Sequence, residues 1–375
     1  MEIEQIMKYI YRKIKGRLKK NAEIPPEKER TIAVLPPEGE TISVETALNS
    51  RCSSDYDDNQ TIFHWGIFDK TKKLSYEQIK KIINSVKICR FTEYRVEIVE
   101  NGHTLTFIVE NGITGIQKDW VIVESGMQQQ AVILICTALG IGSVLKNQGK
   151  DGTEISSIDF LTIKLKIDPM KPSYDESYWI HSAPANESPW LSGNLPDPVR
   201  NGSTPLITAI KNINIQNSRH SQNVIKHSIG QLLWAARGRT PHLYKSKPWG
   251  MTIPTWAGEQ HLSSVYLILD SKLYKYINWI KNRPTHSIIE LKKLDIETYK
   301  KMNELLPQWN CFIILSANET YARALWEIGY QAFNILIQAQ TLNIAYHAIL
   351  LDSNQRKLFS EMNIENPVAI IELRK

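Results

Sequence analysis

The sequence predicts a globular chain of helices and strands built as two related halves. Three observations lead there. The 375 residues are 42% apolar and 22% charged, a balance that fits a folded protein with a sizeable core rather than a disordered one. Two long, mostly apolar segments repeat one residue pattern. Upstream of each, an extended segment, a polar turn and a short helix recur in the same order.

The long segments are ESGMQQQAVILICTALGIGS, from Glu124, and EIGYQAFNILIQAQTLNIAY, from Glu327. Aligned, they place Glu124 with Glu327, Gly126 with Gly329, Gln128 with Gln331 and Leu139 with Leu342 at a single offset. Each reads as a helix buried on most sides. The apolar stretch from Ala131 to Leu145 should be a buried helix that ends near Gly140. It is too short for the roughly 20 residues that a membrane span needs.

The upstream pair is LPPEGETISVETALNS, from Leu35, and LPDPVRNGSTPLITAI, from Leu195. Thr46 to Leu48 matches Thr208 to Ile210 in the short helix that follows each turn. Next come KLSYEQIKKIINSV in the first half and KHSIGQLLWAAR in the second, with Ser75 and Ser228 as expected N-caps. In the second half only, a Pro-Thr-Trp-Ala-Gly turn from Pro254 then enters a strand from Ser264 to Leu269. The boundaries follow: a basic arm over 1–30, a shortened half over 31–180 and a fuller half over 190–375, with a Pro- and Ser-rich surface connection between the halves.

Charge excludes a nucleic-acid face on the body. Most of the net charge of +6 comes from residues 1–20, where Lys8, Arg12, Lys13, Lys15, Arg17, Lys19 and Lys20 outnumber Glu2 and Glu4. That arm reads as a solvated helix, with contact to an anionic membrane surface the second reading. It lacks the apolar core and cleavage site of a secretion signal. The four cysteines, Cys52, Cys89, Cys136 and Cys311, form no C-x-x-C pair, so no zinc or redox motif is expected and a reducing, cytoplasmic compartment suits them. The nine histidines show no metal spacing, and no glycine-rich phosphate loop is present.

LPDP at Leu195, QLLWAARG at Gln231, TIPTWAG at Thr252 and GYQAFN from Gly329 to Asn334 resemble the nitroreductase superfamily, and within it the SagB-type dehydrogenases. The resemblance covers the second half well and the first half partially. It implies an α+β nitroreductase-like fold with mixed sheets flanked by long helices, and FMN bound where two intertwined subunits meet. NAD(P)H is the electron donor it admits. Here the two halves stand for the two subunits, so the duplication implies a pseudodimer within one chain.

In that family an Arg-Arg-Ser corner holds the flavin phosphate, and a Pro-Ser turn from the other subunit lies beside the ring. The first half keeps Arg51 and Ser53 of the corner, with Cys52 between them; the second half has Ile213, Asn214 and Ile215 there. The turn survives only in the second half, as Pro254, Thr255, Trp256, Ala257 and Gly258. The resemblance therefore implies one complete FMN site per chain, made of Arg51, Ser53, Pro254, Thr255, Trp256 and Gly258, and one erased. A guanidinium suits phosphate because its charged fork donates two hydrogen bonds together. Asp55 and Asp57 beside a phosphate oppose it, because like charges repel in a half-buried site.

Each of these residues has a plainer reading. Arg51 can cap a helix C-terminus, as can Arg237 and Arg239. Trp234 reads as core, and the amides of Gln128 to Gln130 can be met by a flavin edge or by the other half's backbone. No side chain declares itself an acid or base; His242, Tyr244, Lys245 and His261 are the nearest titratable groups to the turn, and the catalytic residues stay unassigned. The expected activity is hydride transfer between flavin and either an azoline-type ring in a modified peptide or a small electron-poor aromatic. The alternative is a degenerate member of the fold that binds or scaffolds without catalysis.

Overall fold

The computed structural model describes residues 42–51, 62–63, 66–68, 74–86, 96–101, 104–109, 112–139, 141–147, 155–161, 163–164, 193–214, 216–217, 226–240, 250–255, 262–280, 283–305, 311–319 and 322–374. The basic arm lies outside this set, as do Ser53, Trp256, Gly258, His242, Tyr244, Lys245 and His261.

The first half opens with α1 (Val44–Ser50), followed by β1 (Ile62–Phe63), β2 (Gly66–Phe68), α2 (Tyr76–Val86), β3 (Val96–Asn101) and β4 (Thr104–Val109). Next come α3 (Gly115–Ala138), β5 (Gly142–Asn147), β6 (Ile155–Leu161) and β7 (Ile163–Lys164). Ser43 caps α1 by accepting from Thr46 N at 3.1 Å. Ser75 caps α2 in the expected way: Gln78 N donates to its Oγ at 3.2 Å, and its own N–H donates to Gln78 Oε1 at 2.9 Å, a reciprocal box. β3, β4, β6 and β5 form one antiparallel sheet in that order, and β1, β2 and β7 form a small second one.

The second half runs β8 (Gly193–Asn194), α4 (Leu206–Lys211), β9 (Gln216–Asn217), α5 (Lys226–Arg237), β10 (Ser263–Leu269), β11 (Lys272–Ile280) and β12 (Arg283–Lys293). It closes with α6 (Ile296–Leu305), β13 (Cys311–Ala317), α7 (Ala322–Thr341), β14 (Tyr346–Leu350), α8 (Ser353–Glu361) and β15 (Pro367–Leu373). Its eight strands make one sheet in the order β8-β12-β11-β10-β13-β15-β14-β9. Every described pairing is antiparallel, which corrects the expected mixed sheets. Asp270 and Ser271, both at positive φ, form the two-residue turn of the β10–β11 hairpin, whose twist matches that of the strands. Ser228 is no cap: it lies inside α5, two residues past its start.

The central strands β10, β13 and β15 are buried throughout and mostly apolar because both faces are covered. Val265, Leu267 and Leu269 of β10, with Ile313 and Leu315 of β13, join the main core that contains α7. Tyr266, Ile268, Phe312 and Ile314 alternate to the other face, against Met302 of α6 and Leu358 and Phe359 of α8. The main core continues without a break into α3, whose residues 121–138 are all buried. By length and composition α3 could cross a membrane, but its apolar window is wholly packed inside the protein. It ends at Ala138, two residues before Gly140 as expected, and the rest of the apolar run becomes β5.

Residues that the sequence repeat aligns lie against each other at two places. Gly126 and Gly329 face each other where α3 crosses α7: a methyl on Gly126 would lie 2.5 Å from Trp326 O, and one on Gly329 would lie 2.2 Å from Val123 O. Only glycine lets the backbones approach so closely. At the second place Ser43 pairs with Pro205 in an antiparallel bridge, each lying three residues before the matched threonines Thr46 and Thr208. Val44 N donates to Thr204 O at 3.1 Å and Leu206 N to Ile42 O at 2.8 Å, so the two bonds exchange under a swap of the halves.

Candidate functional site: a turn held from both halves

The site begins where α5 ends. Gly238 N closes the helix on Trp234 O, and the chain returns after residues 241–249 to pair with itself. Thr240 N donates to Gly250 O at 3.1 Å, Thr252 N to Gly238 O at 3.0 Å, and Arg239 bridges Met251. This small ladder delivers Met251, Thr252 and Ile253 with their carbonyls unclaimed by secondary structure. Buried carbonyls need donors.

Arg51, 4% exposed at the end of α1, supplies them from the other half. Its Nε donates to Thr252 O at 3.1 Å, and its Nη2 donates to Met251 O at 2.5 Å and Ile253 O at 2.9 Å. Gln130 of α3 and Asn334 of α7 each add a bond of 3.2 Å to the same Thr252 carbonyl, and Gln130 Nε2 also donates to Asn334 Oδ1 at 2.9 Å. The planar fork of arginine fits this task, because it can reach several acceptors in one plane. Arg51 also contributes its N–H to Ala47 O at 3.0 Å, so it terminates α1 as well.

A buried carboxylate secures the following residue. Thr255 Oγ1 donates to Glu327 Oε1 at 2.7 Å, while Glu327 Oε2 accepts from Arg237 Nη1 at 2.9 Å and from Ser263 Oγ at 2.8 Å. The side chains of Arg237 and Glu327 are 4% and 0% exposed, so the pair is a buried one and its hydrogen bonds offset much of the cost of desolvation. Gln331 Nε2 donates to Ser263 Oγ at 2.8 Å.

Glu327, Gln331, Asn334 and Gln338 occupy one face of α7 and are all fully buried. Asn334 Nδ2 also donates to Ala235 O at 3.0 Å, and Gln338 Nε2 to Glu45 Oε1 at 2.7 Å. The polar face thus touches α5, β10, the turn, α3 and α1. Gln331 Oε1 on this face and Gln130 Oε1 of α3 beside it are buried without a hydrogen-bond partner among the described residues.

Burial also sets the titration of the nearby side chains. Tyr330, whose hydroxyl donates to Gln129 Oε1 at 2.8 Å, is pushed well above the usual phenol range by desolvation and then by Glu327. Tyr276 is raised by desolvation too. His286, 2.9 Å from Tyr276 Oη through Nδ1, falls to about 3 because burial disfavours its charge, with Arg200 and His227 adding to the effect.

Of the residues expected at a cofactor site, the structure brings Arg51, Pro254 and Thr255 into one neighbourhood; Ser53, Trp256 and Gly258 lie outside the described residues. Arg237 and Arg239 are buried, the first in an ion pair and the second over Trp279, 4.4 Å from the ring centre. Trp234 is core at 0% exposure. The Gln128 to Gln130 amides meet protein: Gln128 bonds Glu124 at 3.4 Å, Gln129 bonds Ser125 at 3.0 Å, and Gln130 reaches the other half. The sequence leaves Gln130 between a flavin edge and the other half's backbone, and it meets the Thr252 carbonyl; Glu327, Ser263 and Asn334 as site residues are not expected from the sequence. The signal was present as polar residues at i, i+4, i+7 and i+11 of an apolar helix. A cavity of about 470 Å³ opens elsewhere, between the starts of α3 and α7, where Arg356 pairs with Asp119 at 2.7 Å.

These elements define an α+β protein in which each half owns its sheets and shares a helical core. No family model matches the chain, and no curated protein is significantly similar to it. Among solved structures it is similar to a provisionally named nitroreductase of Ralstonia eutropha JMP134, with 18% identity, 48% of this chain and 87% of that chain covered, and a TM-score of 0.39. It is also similar to a provisionally named nitroreductase of Anabaena variabilis ATCC 29413, with 9% identity, coverages of 72% and 68%, and a TM-score of 0.45.

Proposed function

We propose that the chain is an FMN-dependent oxidoreductase of nitroreductase type, close to the SagB-type dehydrogenases, in which two fused halves build one flavin site. The observation that carries this reading is the grip of Arg51, from the first half, on the carbonyls that lead into Pro254 and Thr255 of the second. The sequence motifs assign the corner and the turn to one site, and the contact of Arg51 with the carbonyls of Met251, Thr252 and Ile253 supports that assignment. The swapped contacts at Ser43/Pro205 and Gly126/Gly329 support an internal duplication packed about a twofold axis.

The residues fit the ring end of a flavin. Thr255 is half-buried at the start of the turn, and the acceptors Thr255 Oγ1, Gln130 Oε1 and Gln331 Oε1 suit the N–H groups of an isoalloxazine edge. The phosphate end falls to Ser53 and its neighbours, because Arg51 Nε and Nη2 are committed to carbonyls. Arg51 therefore enters the site through the turn it holds. When bound, FMN would supply the hydride chemistry, with NAD(P)H as donor and an azoline-type peptide ring or a small electron-poor aromatic as substrate; the protein supplies orientation and a shaped wall.

The commitment of Arg51 also favours a second reading, a member of the fold that binds or scaffolds without catalysis. An absorbance spectrum of the purified, FMN-reconstituted protein separates the two. Roughly one FMN per chain is the expected result. Two per chain overturn the single site, and none overturns the flavin reading.

A further inference from the structure

We infer that the cavity between the starts of α3 and α7 is a second binding site, separate from the turn, for a small organic anion: an oxyanion head on an apolar body. It measures about 470 Å³, the size of a small-molecule site, and Lys118, Asp119 and Ile122 of α3, Ala322 and Leu325 of α7 and Arg356 of α8 line it. Arg356 has more donors than its protein partners use. Its Nη1 donates to Asp119 Oδ2 at 2.7 Å and its Nε to Leu351 O at 3.2 Å, whereas Nη2 is buried with no hydrogen-bond partner among the described residues. A buried guanidinium N–H without an acceptor is costly, and a ligand oxygen would complete it. Asp119 is already paired with this arginine, so with Lys118 these lining residues carry two positive charges against one negative.

The two helices act in the same direction. Gly126 meets Gly329, Gln129 meets Tyr330 and Gln130 meets Asn334, so α3 and α7 run in the same sense, and their starts border one cavity. Neither has an acidic residue in its first turn, where Lys118 and Arg323 stand instead, and Thr114 makes no side-chain cap for α3. Each helix start is a positive end that favours an anion. Ile122, Ala322 and Leu325 add apolar surface, so an anion with a hydrocarbon body fits better than a bare inorganic one.

The test is calorimetric titration of the full chain with phenyl phosphate, benzoate, inorganic phosphate and the uncharged benzyl alcohol, in the presence and absence of excess FMN. Phenyl phosphate or benzoate should bind the wild type at least about tenfold more tightly than benzyl alcohol and more tightly than inorganic phosphate, with or without FMN. The tighter of the two organic anions identifies the head group. Arg356→Gln should weaken that binding by about tenfold or more, the loss of one charge-assisted hydrogen bond, while Arg356→Lys loses less. If Arg356→Gln does not fold, Ala322→Phe takes its place, since a ring at that position fills the cavity and should abolish binding. Failure of both organic anions to bind overturns the inference, as does benzyl alcohol binding as tightly as they do, or an affinity unchanged in the variant. Binding that FMN displaces belongs to the turn and overturns the second site. Failure of the chain to take up FMN, with anion binding intact, overturns the flavin reading alone.

Discussion

The helices α3 and α7 begin alike and end differently. Glu327, Gln331, Asn334 and Gln338 line one face of α7; at the matching positions α3 has Glu124, Gln128, Ala131 and Ile135. Both helices are equally buried along these turns. The difference therefore lies in the partners each face meets. Along α7 the face meets Arg237, Ser263, the Thr252 carbonyl and Glu45, each of which completes a hydrogen bond. A buried polar side chain survives where a neighbour can satisfy it, and an apolar one fills the place where none does.

The sharpest way to break this contrast is Glu327→Ala. It removes the buried carboxylate that accepts from Arg237, Ser263 and Thr255 and should cost roughly 3–5 kcal/mol in denaturant unfolding. Arg237→Ala should cost a similar amount, and the double variant should cost clearly less than the sum. A loss below about 1 kcal/mol for either single change would show that the polar face is incidental.

The crossing should respond next. Gly329→Ala or Gly126→Ala sets a methyl against backbone on the facing helix, with an expected loss near the upper end of about 1–3 kcal/mol. Gly230 in α5 is the control: a methyl there finds only ordinary contacts, the nearest at 3.5 Å. Gly230→Ala should be neutral or stabilise by up to about 1 kcal/mol, since glycine weakens a helix interior. One substitution type with opposite signs at two sites would locate the close approach.

His286 separates the halves by acid sensitivity. Its folded pKa of about 3 lies below the ordinary histidine value, so between the two the unfolded chain binds a proton that the folded chain refuses. Stability is therefore complete above about pH 6.5 and falls as pH drops, by about 1.4 kcal/mol per unit, or about 2 kcal/mol by pH 5. His286→Gln should remove that slope, and unfolding monitored at several pH values checks it. The smallest effect belongs to the partly buried pair Arg356 and Asp119, with side chains 23% and 32% exposed. Asp119→Asn should cost at most about 1 kcal/mol in the same assay.

The parts of the fold that rest on residue identity were readable beforehand. Gly126 and Gly329 stood out by position, and they mark the place where the backbones touch. Trp234 reads as core because Leu232, Leu233, Ala235 and Ala236 flank it in the sequence, and it is fully buried. The contacts of Arg51 were not readable, since nothing near it in sequence says that three carbonyls 200 to 202 residues away face it. Strand direction was equally hidden: periodicity tells which face of a strand is buried, and only pairing tells its sense. The polar face of α7 escaped because a search for apolar spacing passes over the exceptions, and Ser228 was misplaced because α5 starts at Lys226.

Under the duplication proposed above, the crossing of α3 and α7 also frees each contact from its symmetry mate. In a dimer of identical subunits every interfacial contact is made twice, and a substitution must suit both copies. Here Tyr330 bonds Gln129, while the reflected positions are Met127 and Ala332; Gln130 bonds Asn334, while the reflected positions are Phe333 and Ala131. Each polar contact has a greasy reflection. On that reading a single chain places a hydroxyl and an amide on one side of the proposed axis and hydrocarbon on the other. Because both sides are joined covalently, dilution cannot part them, and the lopsided arrangement holds at any protein concentration.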